Sequence, residues 1–304
     1  LVFQLNRSSV TGGAVLDWTQ SAVGSAGVTL GSSDPTFRIG GSVGLSMADV
    51  VFGSATVAIS RTQVSGVDDP DAADPVVQLK GDLLSISVTQ AKLFIGSGAS
   101  LNEDLNSGDF GKVAEPPAND PKAVGFSVDA GSLDLGLFTA TRGSSDGSAY
   151  NALPTVRKYT GLQASLGKAQ LQGVDAVKLI GTGLVFQLNR TSVSNGAVLN
   201  WKQAPLSAAN VALDVTDPTF RIGGSVGLSI ADVVYARATV DVSRTLVSGV
   251  DDPDVAGTVA RLQGDLLGIS ITGATLFIGT GATLNEDSTS DTFGQVGLPE
   301  TNDP

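Results

Sequence analysis

The sequence predicts an all-β chain, built as a β-solenoid or a similarly continuous β-sheet array of tandem repeats. Three observations predict it: a long internal repeat, apolar residues alternating along most of the length, and a glycine content too high for helices. Residues 1–121 align without a gap to residues 184–304, at an offset of 183 and with about 78 identities in those 121 positions. Repetition at a fixed period marks an array, in which each unit buries its apolar face on its neighbours. The copies share Leu1-Val-Phe-Gln-Leu-Asn-Arg7 with Leu184-Val-Phe-Gln-Leu-Asn-Arg190, and Val64-Ser-Gly-Val-Asp-Asp-Pro-Asp71 with Val247-Ser-Gly-Val-Asp-Asp-Pro-Asp254.

The repeat sets the organisation. Residues 1–121 read as the C-terminal two-thirds of a 183-residue repeat, 122–183 as the N-terminal third of the next, and 184–304 as the second copy of 1–121. Leu1 falls inside an apolar run whose second copy is preceded by Ile180-Gly-Thr-Gly183. Asn119-Asp-Pro121 continues into Lys122-Ala-Val-Gly-Phe126, whereas its second copy is Asn302-Asp-Pro304. The expectation is a window on a much longer chain.

Taken in order, strands are expected at Leu1 to Leu5, Val43 to Val50, Ala55 to Ile59, Leu83 to Val88, Lys92 to Ile95, Phe126 to Leu137 and Leu184 to Leu188. The stretch Leu162 to Leu171 could pass for a helix, but its alternation fits strands with a turn at Gly167. The polar terminators Arg7, Arg61, Glu103, Arg142 and Arg190 lie 54, 42, 39 and 48 residues apart, so four subunits fill one period. Polar loops are expected at Gly66 to Pro75, Asn102 to Pro121 and Arg142 to Lys158, placed as insertions cluster on one face of a solenoid. The alternative architecture is a string of tandem β-sandwich modules joined near Pro116 and Pro154. Against it stands the aromatic count, because Trp18 and Trp201 occur once per long period.

Composition narrows the function. With 38 Gly, 11 Phe, 3 Tyr, 2 Trp and one Met, the core has to be thin layers of Val, Leu, Ile and Ala. No stretch reaches the roughly 18 apolar residues of a membrane helix, so no membrane span is expected. A net charge of −12 with scattered Lys and Arg argues against nucleic acid. The chain has no Cys and no His, which removes the thiolate nucleophile, the commonest general base and nearly all zinc sites.

Two literal G-x-S-x-G motifs, Gly40-Gly-Ser42-Val-Gly44 and Gly223-Gly-Ser225-Val-Gly227, resemble a nucleophile elbow. Without an imidazole no serine triad can form, and the surroundings alternate like a strand, so the glycines read as a bend or a close sheet approach. Adjacent Asp68 and Asp69, or Asp251 and Asp252, point apart and make a poor carboxylate pair for glycoside hydrolysis. No enzyme is expected.

Calcium is the better chemical candidate, because it is satisfied by closely spaced oxygen ligands on loops. One candidate loop holds Asp68, Asp69 and Asp71, repeated as Asp251, Asp252 and Asp254. The other holds Asp104, Asn106 and Asp109, whose second copy keeps Asp287 and moves the last carboxylate to Asp291. The competing reading of both is a solvated turn in which Asp caps backbone N–H groups. Asn6-Arg-Ser8 and Asn189-Arg-Thr191 also fit a glycosylation acceptor pattern.

The Gly, Ala, Val, Leu, Ser and Asp-rich texture, the long near-identical repeat, the acidic pI and the lack of Cys resemble the repeat regions of giant bacterial cell-surface and secreted proteins, loosely of the calcium-associated adhesin type. The nonapeptide G-G-x-G-x-D of calcium rolls is absent. The resemblance implies an extracellular or cell-surface location and a structural segment of a repetitive fibre, stiffened by calcium. Its partners would be other copies of the same chain or repeat. The alternative function is an adhesin, a ligand-binding module whose loops recognise cell-surface glycans or other cells, with Trp18 and Trp201 as stacking platforms.

Overall fold

Long runs of alternating residues place branched apolar side chains on one face and small or polar ones on the other, the arrangement that pairs strands into a sheet. The computed structural model describes residues 1–9, 14–32, 34–72, 77–116, 123–144, 150–252, 254 and 261–299, with Arg261 by its backbone alone. Fourteen strands follow: β1 (Val2–Leu5), β2 (Phe37–Met47), β3 (Val51–Asp68), β4 (Gln78–Ser97), β5 (Ser100–Leu101), β6 (Val113–Ala114), β7 (Val124–Ser144), β8 (Asn151–Gln172), β9 (Val177–Thr191), β10 (Phe220–Ile230), β11 (Val234–Asp251), β12 (Arg261–Ile278), β13 (Thr283–Leu284) and β14 (Val296–Gly297). Ten of them form one sheet in the order β1-β2-β3-β4-β7-β8-β9-β10-β11-β12. Neighbours are antiparallel throughout that sheet. The short strands form two hairpins, β5 with β6 and β13 with β14.

The chain is therefore all-β, and its long strands share a single sheet instead of dividing into modules. That sheet is an antiparallel meander, and among the described residues there is neither a solenoid coil nor a closed barrel. Strands are longer than the alternation suggested. β4 joins the two runs at Leu83 to Val88 and Lys92 to Ile95, and β8 passes through Gly167 without a turn. Most of the expected loop Arg142 to Lys158 is strand, since β7 reaches Ser144 and β8 starts at Asn151. Residues 73–75, 117–121 and 145–149 of the expected loops lie outside the described residues. The reason for the longer strands is cross-strand pairing, which carries a strand past residues of weak propensity once its neighbour is in register.

Between β2 and β3, Ala48 and Asp49 both have left-handed φ (54° and 53°), and Val50 N–H donates to the Met47 carbonyl at 3.2 Å. This is a type I′ turn, whose twist matches the strands it joins. It recurs at Ala231 and Asp232, between β10 and β11.

Register separates the two faces. On one, Ile39, Ile59, Ile86, Leu135, Leu162, Leu188 and Phe220 stand opposite one another across seven strands. One residue along each strand, on the opposite face, runs the row Ser60, Ser85, Gly136, Gly161 and Asn189. This face of small residues leaves room for chain to pack on it. The main core forms where Val64, Val67, Leu79, Leu83, Phe138, Ala140 and Tyr159 meet Leu199, Trp201, Leu206, Ala209, Val211 and Leu213 from the segment between β9 and β10. At the other end of the strands, the hairpins cover two smaller clusters: Phe52, Phe94 and Val113, and then Ile180, Tyr235, Ala282, Leu284 and Phe293.

Candidate functional site

The segment 192–219 leaves the end of β9 and folds back over strands that precede it. Its centre is Trp201, which is completely buried. The indole lies against Gly136 and Gly161, register partners in β7 and β8. A Cβ at Gly161 would stand 2.5 Å from Cε2 of the indole, and one at Gly136 would also collide with the ring. The paired glycines are thus a slot cut for a tryptophan. Trp201 Nε1–H donates to Asn189 Oδ1 at 3.0 Å, and Asn189 Nδ2 donates to the Leu199 carbonyl at 2.9 Å. Burial of one large aromatic with its polar edge satisfied contributes on the order of 3–5 kcal/mol.

The flanks of this clasp are polar. Arg157 Nη1 donates to both carboxylate oxygens of Asp69 at 2.9 Å, and lies 3.7 Å from Asp71 Oδ2. Asp71 Oδ1 accepts from Ala197 N–H at 2.6 Å, and Gln203 Oε1 accepts from Asp68 N–H at 3.0 Å. The turn after β3 is thereby stitched to a segment more than a hundred residues later. Beside the guanidinium, burial pushes the Tyr159 hydroxyl above the ordinary phenol range. On the outer rim Lys202 Nζ pairs with Asp214 Oδ2 at 2.7 Å; this bond, with those from Thr216, holds the Asp214 carboxyl well below the usual carboxylate range.

The candidate calcium residues fall in three settings. Asp69 and Asp71 converge on Arg157, not on an empty cavity. Asp251, Asp252 and Asp254 repeat the same turn, with Asp254 N–H donating to Asp252 Oδ1 at 3.0 Å, and among the described residues no Lys or Arg pairs with Asp252 or Asp254. Asp104 Oδ1 caps Asn106 N–H at 2.9 Å, while Asp109 pairs with Lys112 at 2.7 Å. In the second copy Asp287 caps Thr289 N–H at 2.9 Å, and Asp291 is exposed in the same loop. Among the described residues no three acidic groups meet where they could hold a metal ion.

The remaining motifs become packing devices. A side chain on Gly44 would collide with the Gly111 carbonyl, and one on Gly227 with that of Gly294, so the last glycine of each G-x-S-x-G seats a hairpin loop on the sheet. Ser225 Oγ and Thr239 Oγ1 lie 2.6 Å apart across β10 and β11, and Ser42 faces Thr56 in the same way at 3.4 Å. Asn6 and Asn189, the glycosylation candidates, are both buried, with their amides bonded to Trp18 and Trp201.

Sequence reasoning missed the roles of Arg157, Gly136, Gly161 and Asn189. The available signal was the spacing of twelve between Asn6 and Trp18, kept between Asn189 and Trp201. Compared with known protein families, curated proteins and solved structures, the chain matches none.

Proposed function

We propose that the chain is a structural, non-catalytic segment of a long extracellular or cell-surface fibre, in which repeat units merge into one β-sheet. The observation that carries this reading is β9. The second copy of residues 1–121 begins at residue 184, inside that strand, so the segment 122–183 passes into that copy without leaving the sheet. Trp201, from that second copy, then closes on Gly136 and Gly161 of the segment before it. Such a joint has no linker at which to bend, and backbone hydrogen bonds run on across it.

Six strand spacings separate β1 from its equivalent β9, so each unit would lengthen the array by roughly 29 Å at the usual strand spacing of about 4.8 Å. The partners are other repeat units of the same kind. A glycan-binding role draws less support, because Trp201 has no free face on which a sugar could stack.

Electron microscopy of chains carrying different numbers of repeats tests the proposal. Rods that grow by about 29 Å per unit are expected. Beads joined by flexible links would overturn it.

A further inference from the structure

We propose that the outer edge of β12 is a strand acceptor whose occupant is a second copy of the β7 sequence, residues 124–144. This deepens the fibre reading by naming the contact through which units join, and it rests on that reading.

The argument starts from internal equivalence. β12 is the repeat of β4, and Leu83, Leu84, Ile86 and Phe94 recur as Leu266, Leu267, Ile269 and Phe277. In β4 that edge is covered by β7, with Leu83 opposite Phe138, Leu84 opposite Leu137, Ile86 opposite Leu135 and Val88 opposite Leu133. In β12 no strand among the described residues covers it. Leu79 and Leu83, packed against both β7 and the segment that carries Trp201, are 0% and 1% exposed, whereas their counterparts Leu262 and Leu266 are 46% and 58% exposed. Leu267, Ile269 and Ile271 are likewise exposed.

The edge also has few of the charges and none of the prolines that normally keep a strand from pairing. Of the 18 residues of β12 only Arg261 and Asp265 are charged, and Asp265 already pairs with Arg244 of β11. No proline interrupts it, and its one break, a bulge at Gly273 (φ 58°), matches that at Gln90 in β4 (φ 53°), on both sides of which β7 still pairs. A β7-type strand would meet Leu266, Leu267, Ile269 and Ile271 with Phe138, Leu137, Leu135 and Leu133, and add a row of main-chain hydrogen bonds, as in strand addition to a sheet edge.

The absence of cysteine makes a register test clean. Ser87 stands opposite Asp134, to which its hydroxyl donates at 2.7 Å, so Ser270 should stand opposite residue 134 of an added strand. The probe is a synthetic peptide of residues 123–144, offered to the 304-residue chain. Saturable binding is expected, with a disulfide forming between Ser270→Cys in the chain and Asp134→Cys in the peptide. The chain should bond at least tenfold less to a peptide carrying Gly131→Cys instead. Ile269→Lys, on a residue that is already exposed, should abolish binding without lowering the melting temperature.

Absence of binding, equal cross-linking at both peptide positions, or attachment to β1 instead would overturn the acceptor. So would self-association of the chain that Ile269→Lys breaks and the peptide does not compete with. Rods in the electron microscope with no peptide binding would remove this inference alone, and beads would remove the fibre reading whatever the peptide does.

Discussion

Trp18 and Trp201 hold the same place in two copies of one sequence, and their local bonds match. Each indole N–H donates to an asparagine twelve residues earlier, at 3.2 Å from Trp18 to Asn6 and 3.0 Å from Trp201 to Asn189. Each backbone N–H donates to a leucine carbonyl at 2.8 Å, Leu30 in one copy and Leu213 in the other. Yet Trp201 is fully buried, while Trp18 is only half-buried. The second loop has β7 and β8 to close upon, whereas among the described residues no strand precedes β1 in the sheet to lie beneath the first. The hairpin loops repeat the lesson. Phe293 is 6% exposed because Ile180 and Tyr235 lie under it, but its counterpart Phe110 is 50% exposed. Each copy of the 121-residue stretch thus supplies its own hydrogen bonds, and the second takes its burial from the segment 122–183 that precedes it.

The largest test of that comparison is truncation of the two indoles. Trp201→Ala should cost about 3–5 kcal/mol in denaturant unfolding, and Trp18→Ala under about 1 kcal/mol. Gly161→Val should reproduce most of the Trp201 loss, with a red shift of tryptophan fluorescence, by evicting the ring from its slot. Equal costs for the two tryptophans would break the comparison.

Phe293→Ala should lower stability by about 3 kcal/mol and Phe110→Ala by a few tenths, read from the same transitions. Next comes the asparagine pair. Asn189→Ala leaves a buried indole N–H and the Leu199 carbonyl unpaired, at about 1–3 kcal/mol, and Asn6→Ala should cost less because its partner is nearer water.

Acid should act weakly and mainly on the second loop. Asp214 is held below its ordinary range by Lys202 and Thr216, so its stabilising contribution is present above the unfolded carboxylate value and is lost as pH falls through the lower folded one. The first loop has Gly31 and Thr19 at those positions. A fluorescence titration from about pH 5 downward should therefore show a slight loosening around Trp201, with Lys202→Met removing the effect.

The smallest expected effect is that of calcium. At about millimolar concentration it should leave the melting temperature unchanged, since the carboxylates already cap backbone groups or face Arg157. A stabilisation abolished by Asp252→Asn but not by Asp69→Asn would instead place the ion in the loop that no described Lys or Arg occupies.

Much of the fold was legible in the residues. Alternation located Phe126 to Leu137 and Leu184 to Leu188 inside β7 and β9, and the last glycines of both G-x-S-x-G motifs proved to be sites of close approach. Strand lengths were less legible, because β8 is carried on through Gly167 and residues 153–156 by flanks that pair with β7, and not by the propensity of those residues. The Asp68 to Asp71 turn looked like a cation loop because its nearest partner, Arg157, lies 88 residues from Asp69.

By itself the sequence determined the period, the β class and the capped turns, since these depend on residues close in the chain or on alternation within one strand. Only the tertiary structure decided that the strands run as one antiparallel meander, that Gly136 and Gly161 form a slot, and that Asp69 answers Arg157. Those outcomes depend on which strands lie side by side, and register across a sheet relates residues whose separation in the chain carries no local signal.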